Sequence, residues 1–323
     1  MQDPTGAEPQ PTGRRQVLVG LAAGALLAAC GGRSASTSAG TTAPAATIGS
    51  TASASAGWRL GARFADGYVA PSALVAGLAQ RAPYVLLGSD GWPMGTEGPD
   101  HLDLTVRRAG VNGAADGPVV ATHTVERHGG DHATPYFPLV FRVDDPGDYV
   151  VHLATGTPGD VGIEPHHLRV VGRGETTLIQ VGDRLPAVAT PTRTDPAGVD
   201  PICTEPNGPC SFHEVSVAEA LGQPGPVALL VSTPRFCQSD VCGPTVGLLR
   251  SALRVQSEPW SAVHAEVYMA PETGDFTTTP TVAALGLAFE PSLVVADLDG
   301  IVTAALHFTM DATEVADALA TAV

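Results

Sequence analysis

Four cysteines in the C-terminal half, Cys203, Cys210, Cys237 and Cys242, carry the clearest chemical signal in this chain. Thiols can bridge, exchange bridges or bind metal as thiolates, and four of them allow three pairings. Cys203 and Cys210 bracket Thr204-Glu205-Pro206-Asn207-Gly208-Pro209, a segment that bends easily. A bridge there closes a short loop and is expected to be structural. Cys237 and Cys242 pose a geometric problem, because five residues of helix rise ~7.5 Å, whereas disulfide Cα atoms lie within ~7 Å. Gly243-Pro244 resolves it. Proline fits the first turn of a helix and disfavours helix before it, so the helix is expected to start near Pro244. Cys237 then lies in a loop, Cys242 at the helix entrance, and a bond becomes feasible. A thiol at that entrance feels the helix dipole, which favours thiolate. Cys242 is therefore expected to attack and Cys237 to be its partner, with Arg235 helping and Asp240 opposing. The competing reading has all four cysteines as staples of a non-enzymatic binding or assembly module.

Histidines form a second group. His123, His128 and His132 lie close together, the last two within His128-Gly129-Gly130-Asp131-His132. Imidazoles with Asp131 could ligate zinc or copper at a surface. The paired glycines instead favour a polar hairpin loop, and no metal or other cofactor is assigned on this ground. His166-His167 begins an expected strand.

The elements that must position these residues fall into two groups. From Trp58 to Gly174, β-rich runs alternate with Gly, Pro, Asp and Asn turns: 84–87, 102–106, 119–125, 137–143, 149–153 and 167–171. That spacing suits an antiparallel sandwich. Asp145-Pro146-Gly147-Asp148-Tyr149 resembles the corner of immunoglobulin-like domains, which implies an all-β immunoglobulin-like sandwich over 58–174. The second group covers 175–323 and includes a Pro-rich joint at 186–201. Ser216-Val217-Ala218-Glu219 is a capping box. Val227-Ala228-Leu229-Leu230-Val231 is an apolar run suited to a central strand buried on both faces. A helix is expected over 245–255, a strand over 263–269 and a short helix over 281–287. Ser292–Ala296 and Ile301–Phe308 form a hairpin about Asp299-Gly300, and a last helix follows Asp311.

The segment 181–187 resembles the opening of redoxin domains, and Val241-Cys242-Gly243-Pro244-Thr245 is similar to the active-site motif of thioredoxins, with Thr245 at the second cysteine. Pro291, just before a strand, matches the family's cis-proline. The resemblance implies an α/β thioredoxin-like fold and thiol–disulfide exchange through Cys237 and Cys242, with Pro291 docking substrate backbone. Two other families share parts of the pattern. The four-residue gap between Cys237 and Cys242 resembles peroxiredoxin Q, but Pro234 stands where that family keeps threonine and no arginine follows Arg254. A resemblance to copper chaperones of oxidase assembly would need both thiolates plus His264 or His307, each inside an expected strand.

The remaining sequence reads as an address. Gly13-Arg14-Arg15-Gln16-Val17-Leu18 is a twin-arginine pattern, and the apolar run to Ala29 is too short to span a bilayer. Leu27-Ala28-Ala29-Cys30 resembles the bacterial lipobox, which implies a signal peptide over 1–29 and a lipid anchor on Cys30 at the outer face of the cell membrane. Residues 30–57, almost wholly Ser, Thr, Ala and Gly, are expected to be a disordered tether. Thiols or disulfides of exported proteins are then the expected partners. A formal net charge of −16 without a single Lys excludes nucleic acid, which demands clustered cations.

Overall fold

The computed structural model describes residues 59–62, 74–88, 90–93, 95, 98–130, 134–154, 165–237 and 241–323. All belong to one compact unit, Ser53–Val323. The expected signal peptide, Cys30, the tether, Asp131, His132 and Asp240 lie outside the described residues. The chain is predominantly β, with several sheets and few helices.

Among the described residues, eight strands build the N-terminal half: β1 (Arg59–Ala62), β2 (Leu74–Val75), β3 (Ala79–Leu87), β4 (His101–Arg108), β5 (Val119–Glu126), β6 (Phe137–Arg142), β7 (Gly147–Leu153) and β8 (His166–Val171). They form two sheets, ordered β1-β3-β6 and β2-β8-β7-β4-β5. Side chains alternate in and out because successive residues of a strand face opposite sides. Leu102, Leu104 and Val106 of β4 point inward with Phe137, Leu139 and Phe141 of β6, and Tyr84, Leu86, Tyr149 and Val151 complete one shared core. At the entry to β7 the Tyr149 hydroxyl donates to the Asp145 carbonyl at 2.7 Å, tying the turn to the strand it feeds.

The C-terminal half contains α1 (Val217–Ala220), β9 (Val227–Val231), α2 (Cys242–Leu253), β10 (Ser261–Ala265), β11 (Tyr268–Ala270), β12 (Asp275–Thr278), α3 (Pro280–Ala284), β13 (Ser292–Ala296), β14 (Val302–His307) and α4 (Ala312–Ala320). Its main sheet is ordered β10-β9-β13-β14. β10 runs parallel to β9, while β13 is antiparallel to both β9 and β14. The apolar run of β9 is central, as its composition requires. Val227, Leu229 and Val231 face one hydrophobic cluster, and Ala228 and Leu230 face the other, beneath α2 and α4.

One expectation changes in detail. The strand expected over 263–269 is two strands, because the chain leaves the main sheet at Glu266. That residue's carbonyl accepts from Thr279 Oγ1 at 2.9 Å, and its side chain turns inward. The Pro-rich stretch 186–201 is woven into the C-terminal half. Leu185 N–H donates to Gly300 O, Ala218 N–H to Val188 O, and Val217 N–H to Thr190 Oγ1, which helps to fix the start of α1.

The halves meet at a buried polar junction. Arg81 of β3 forms a two-pronged ion pair with Glu314 of α4, at 2.6 and 2.7 Å, and donates to the carbonyls of His307 and Thr309. The Tyr136 hydroxyl donates to Glu314 Oε2 at 2.5 Å, and His128 Nδ1 lies 2.9 Å from Asp311 Oδ2.

Candidate functional site

Cys237 and Cys242 are joined by a disulfide, with Cα atoms 6.1 Å apart. Cys242 is the first residue of α2, and Pro244 sits in its first turn. That is the loop-to-helix geometry the spacing requires. No acidic residue occupies the first turn, so the positive end of the dipole acts on Cys242 unopposed by the helix's own side chains. The Thr245 hydroxyl donates to the Cys242 carbonyl at 2.7 Å, inside the first turn of α2.

The two sulfurs differ in exposure. Cys242 is fully buried, whereas Cys237 is only half-buried. Cys237 is thus the sulfur more open to solvent. Arg235, expected to assist, instead pairs with Glu272. Beside Cys237, Phe236 packs edge-on against Phe276 of β12, which also meets Tyr268 of β11. Phe276 is 54% exposed, so this hairpin sets an apolar rim next to the accessible sulfur.

Behind the disulfide stands an acid that sequence reasoning missed. Glu290 precedes Pro291, and the peptide bond between them is cis. A Glu290 carboxylate oxygen lies within 4.8 Å of both disulfide sulfurs. Its Oε2 is buried without a hydrogen bond. Burial, and then the nearby Glu266 carboxyl, push the Glu290 acid up to about 8. Glu266, wholly buried, accepts from Thr204 N–H at 2.5 Å. Burial raises its pKa too, against the opposing pull of His264. The available signal was an acid set in apolar sequence, at Ala265-Glu266-Val267 and Phe289-Glu290-Pro291.

Cys203 and Cys210 do not form the expected bridge. Both are free, buried thiols, and each sulfur lies 3.6 Å from His264 Nδ1. The turn between them directs both thiols toward β10, and Cys210 N–H donates to Cys203 Sγ at 3.4 Å. His264 thus stands with this pair and not with Cys237 and Cys242, as the copper-chaperone reading would need. His307 bonds Ser292 Oγ at 3.0 Å and meets Phe289 edge-on. Burial, and then Arg81, push its pKa down to about 3. His123 belongs to β5, pairing across the sheet with Leu104, while His128 is taken up by the junction with Asp311.

Compared with protein-family models, the chain matches none. No curated protein matches it significantly in sequence.

Proposed function

We propose that this chain is an exported, membrane-anchored thiol–disulfide oxidoreductase of thioredoxin-like type, carried on an immunoglobulin-like sandwich. The observation that carries the reading is a half-accessible disulfide at a helix N-terminus, with an oxygen of the buried Glu290 carboxyl within 4.8 Å of both sulfurs. The strand order β10-β9-β13-β14, with helices over the sheet, supports the thioredoxin-like assignment, and the Tyr149 corner supports the immunoglobulin-like one.

The exchange runs on this chain's own groups. A substrate thiolate attacks Cys237 Sγ, forming a mixed disulfide while the Cys237–Cys242 bond breaks. The electron pair passes to Cys242, where the α2 N-terminus stabilises thiolate. Glu290, protonated at neutral pH, supplies the proton that converts this thiolate to a thiol. A second substrate thiolate then attacks the substrate sulfur and releases Cys237. Two substrate thiols become one disulfide, and the protein pair is reduced; the reverse sequence reduces a substrate. Pro291 and the rim of Phe236 and Phe276 would hold the peptide backbone and an apolar side chain. Cys30 would fix the chain to the outer face of the membrane.

Trapping tests this reading. Cys242→Ser removes the resolving thiol, so a mixed disulfide between Cys237 and a partner protein should accumulate and disappear with dithiothreitol. Cys237→Ser should trap nothing. If neither variant traps a partner, and the native bridge resists dithiothreitol at concentrations that open relaxed protein disulfides, the chain is a binding module with a structural bridge.

A further inference from the structure

The four residues Cys203, Cys210, His213 and His264 converge from three places in the chain. The cysteines flank one turn, His213 follows it, and His264 projects from β10. Each offers a ligand atom within 4.8 Å of the other three, and all four residues are buried. We propose that they form a tetrahedral zinc site, separate from the disulfide and independent of its exchange chemistry.

Distance is the first support. Zinc holds thiolate at ~2.3 Å and imidazole nitrogen at ~2.05 Å, so a tetrahedral angle separates sulfur from nitrogen by about 3.6 Å. His264 Nδ1 lies 3.6 Å from Cys203 Sγ and 3.6 Å from Cys210 Sγ. Both sulfurs are thus spaced from that nitrogen as a shared ion requires.

Tautomers are the second. A carbonyl oxygen only accepts, so a ring nitrogen facing one must carry the proton. His264 Nε2 lies 3.2 Å from Ser232 O and 3.0 Å from Ser232 Oγ, which leaves the Nδ1 lone pair for the sulfur side. His213 Nδ1 lies 3.4 Å from Pro191 O, which leaves the Nε2 lone pair. That Nε2 is fully buried and lacks a hydrogen bond of normal geometry. A buried nitrogen without a partner is costly unless something else binds it. Both imidazoles are thereby held by outer partners in the form that binds metal.

Charge is the third. Two thiolates and two neutral imidazoles around a divalent ion sum to zero, which suits an interior site. Zinc is preferred to copper(I) because two borderline imidazoles join the two soft thiolates in a closed four-ligand set.

The full-length protein, purified without chelator or reductant, tests this by elemental analysis and native mass spectrometry. One zinc per chain is expected, with Cys203 and Cys210 protected from alkylation until a chelator is added. Reconstitution with cobalt(II) should give intense visible bands of a tetrahedral thiolate centre. Those bands should vanish in Cys210→Ser and survive in a Cys237→Ser/Cys242→Ser double variant, which separates this site from the exchange pair. His213→Gln keeps the volume of the ring and should weaken zinc more than 100-fold. Ser232→Ala, which removes an outer partner of His264, should weaken it ~10-fold. A Cys203–Cys210 disulfide in metal-free protein, with no cobalt uptake after mild reduction, would overturn the proposal. So would a site filled by copper and refusing zinc.

Discussion

Glu290 is the residue whose protonation has the widest consequences, because its acid has been lifted to about 8 by burial and by Glu266. The sign for stability follows from proton counting. Between the ordinary carboxyl range and pH 8, the unfolded chain has released this proton and the native chain retains it. Stability therefore falls as pH rises across that window, by up to about 1.4 kcal/mol per pH unit. Urea titrations from pH 5 to 8 should show this slope in the wild type and a flatter one in Glu290→Gln. The same substitution should slow the release of Cys242 thiol most strongly at neutral pH, where only the native acid can donate. An unchanged pH profile of exchange would detach Glu290 from the chemistry. The cysteine pair was legible from spacing, since a helix-breaking Gly243-Pro244 dictates where α2 can start. Glu290 was not legible, because a carboxylate before proline reads as loop until tertiary packing seals it from water. His264 was read as a strand histidine or as a copper ligand beside Cys237 and Cys242, and not with Cys203 and Cys210, because those sulfurs lie more than fifty positions away in sequence.

At the scale of elements, delivery of Glu290 depends on how α3 ends. Gly286 sits just beyond that helix at φ 63°, its N–H donating to Ala283 O and Leu287 N–H to Val282 O. This is a Schellman closure, whose left-handed position suits glycine. A Cβ at Gly286 would also run into the Thr177 carbonyl, which belongs to the strip that donates from Ile179 N–H to Leu285 O. Gly286→Ala should cost about 2–3 kcal/mol, read as a fall in the denaturant midpoint. Because the turn leads into Phe289, Glu290 and Pro291, exchange should slow as well. Most strands were legible because alternation in β4 and β6, and the unbroken apolar run of β9, are direct imprints of one-sided and two-sided burial. β2 escaped, since two residues carry no period. β12, fully exposed, offered no hydrophobic signal. The division of 263–269 into β10 and β11 was hidden for the same reason as Glu266 itself: the inward acid bends the chain through contacts made elsewhere.

For the whole molecule, the junction between the halves is the dominant fact. The Arg81 and Glu314 side chains are 9% and 11% exposed, so each charge depends on the other for compensation. Removing one partner leaves an unpaired buried charge, and Arg81→Ala should destabilise by about 3–5 kcal/mol. An Arg81→Met/Glu314→Leu variant should recover much of that loss, because apolar residues of similar size dispense with desolvation altogether. Limited proteolysis should then cut Arg81→Ala near 172–177 at protease levels that spare the wild type. Membrane association is a separate matter. Cys30→Ser should move the protein from the membrane to the soluble fraction, and persistence in the membrane would refute lipid anchoring. The junction also reaches α2, since α4 starts at the residues the N-terminal half grips and packs with α2 in one cluster through Leu249, Val315 and Leu319. The C-terminal half is accordingly no portable cassette. Expressed alone, it would carry Asp311 and Glu314 without their counterparts, and the helix packed beside α2 would lose the contacts that hold its first turn.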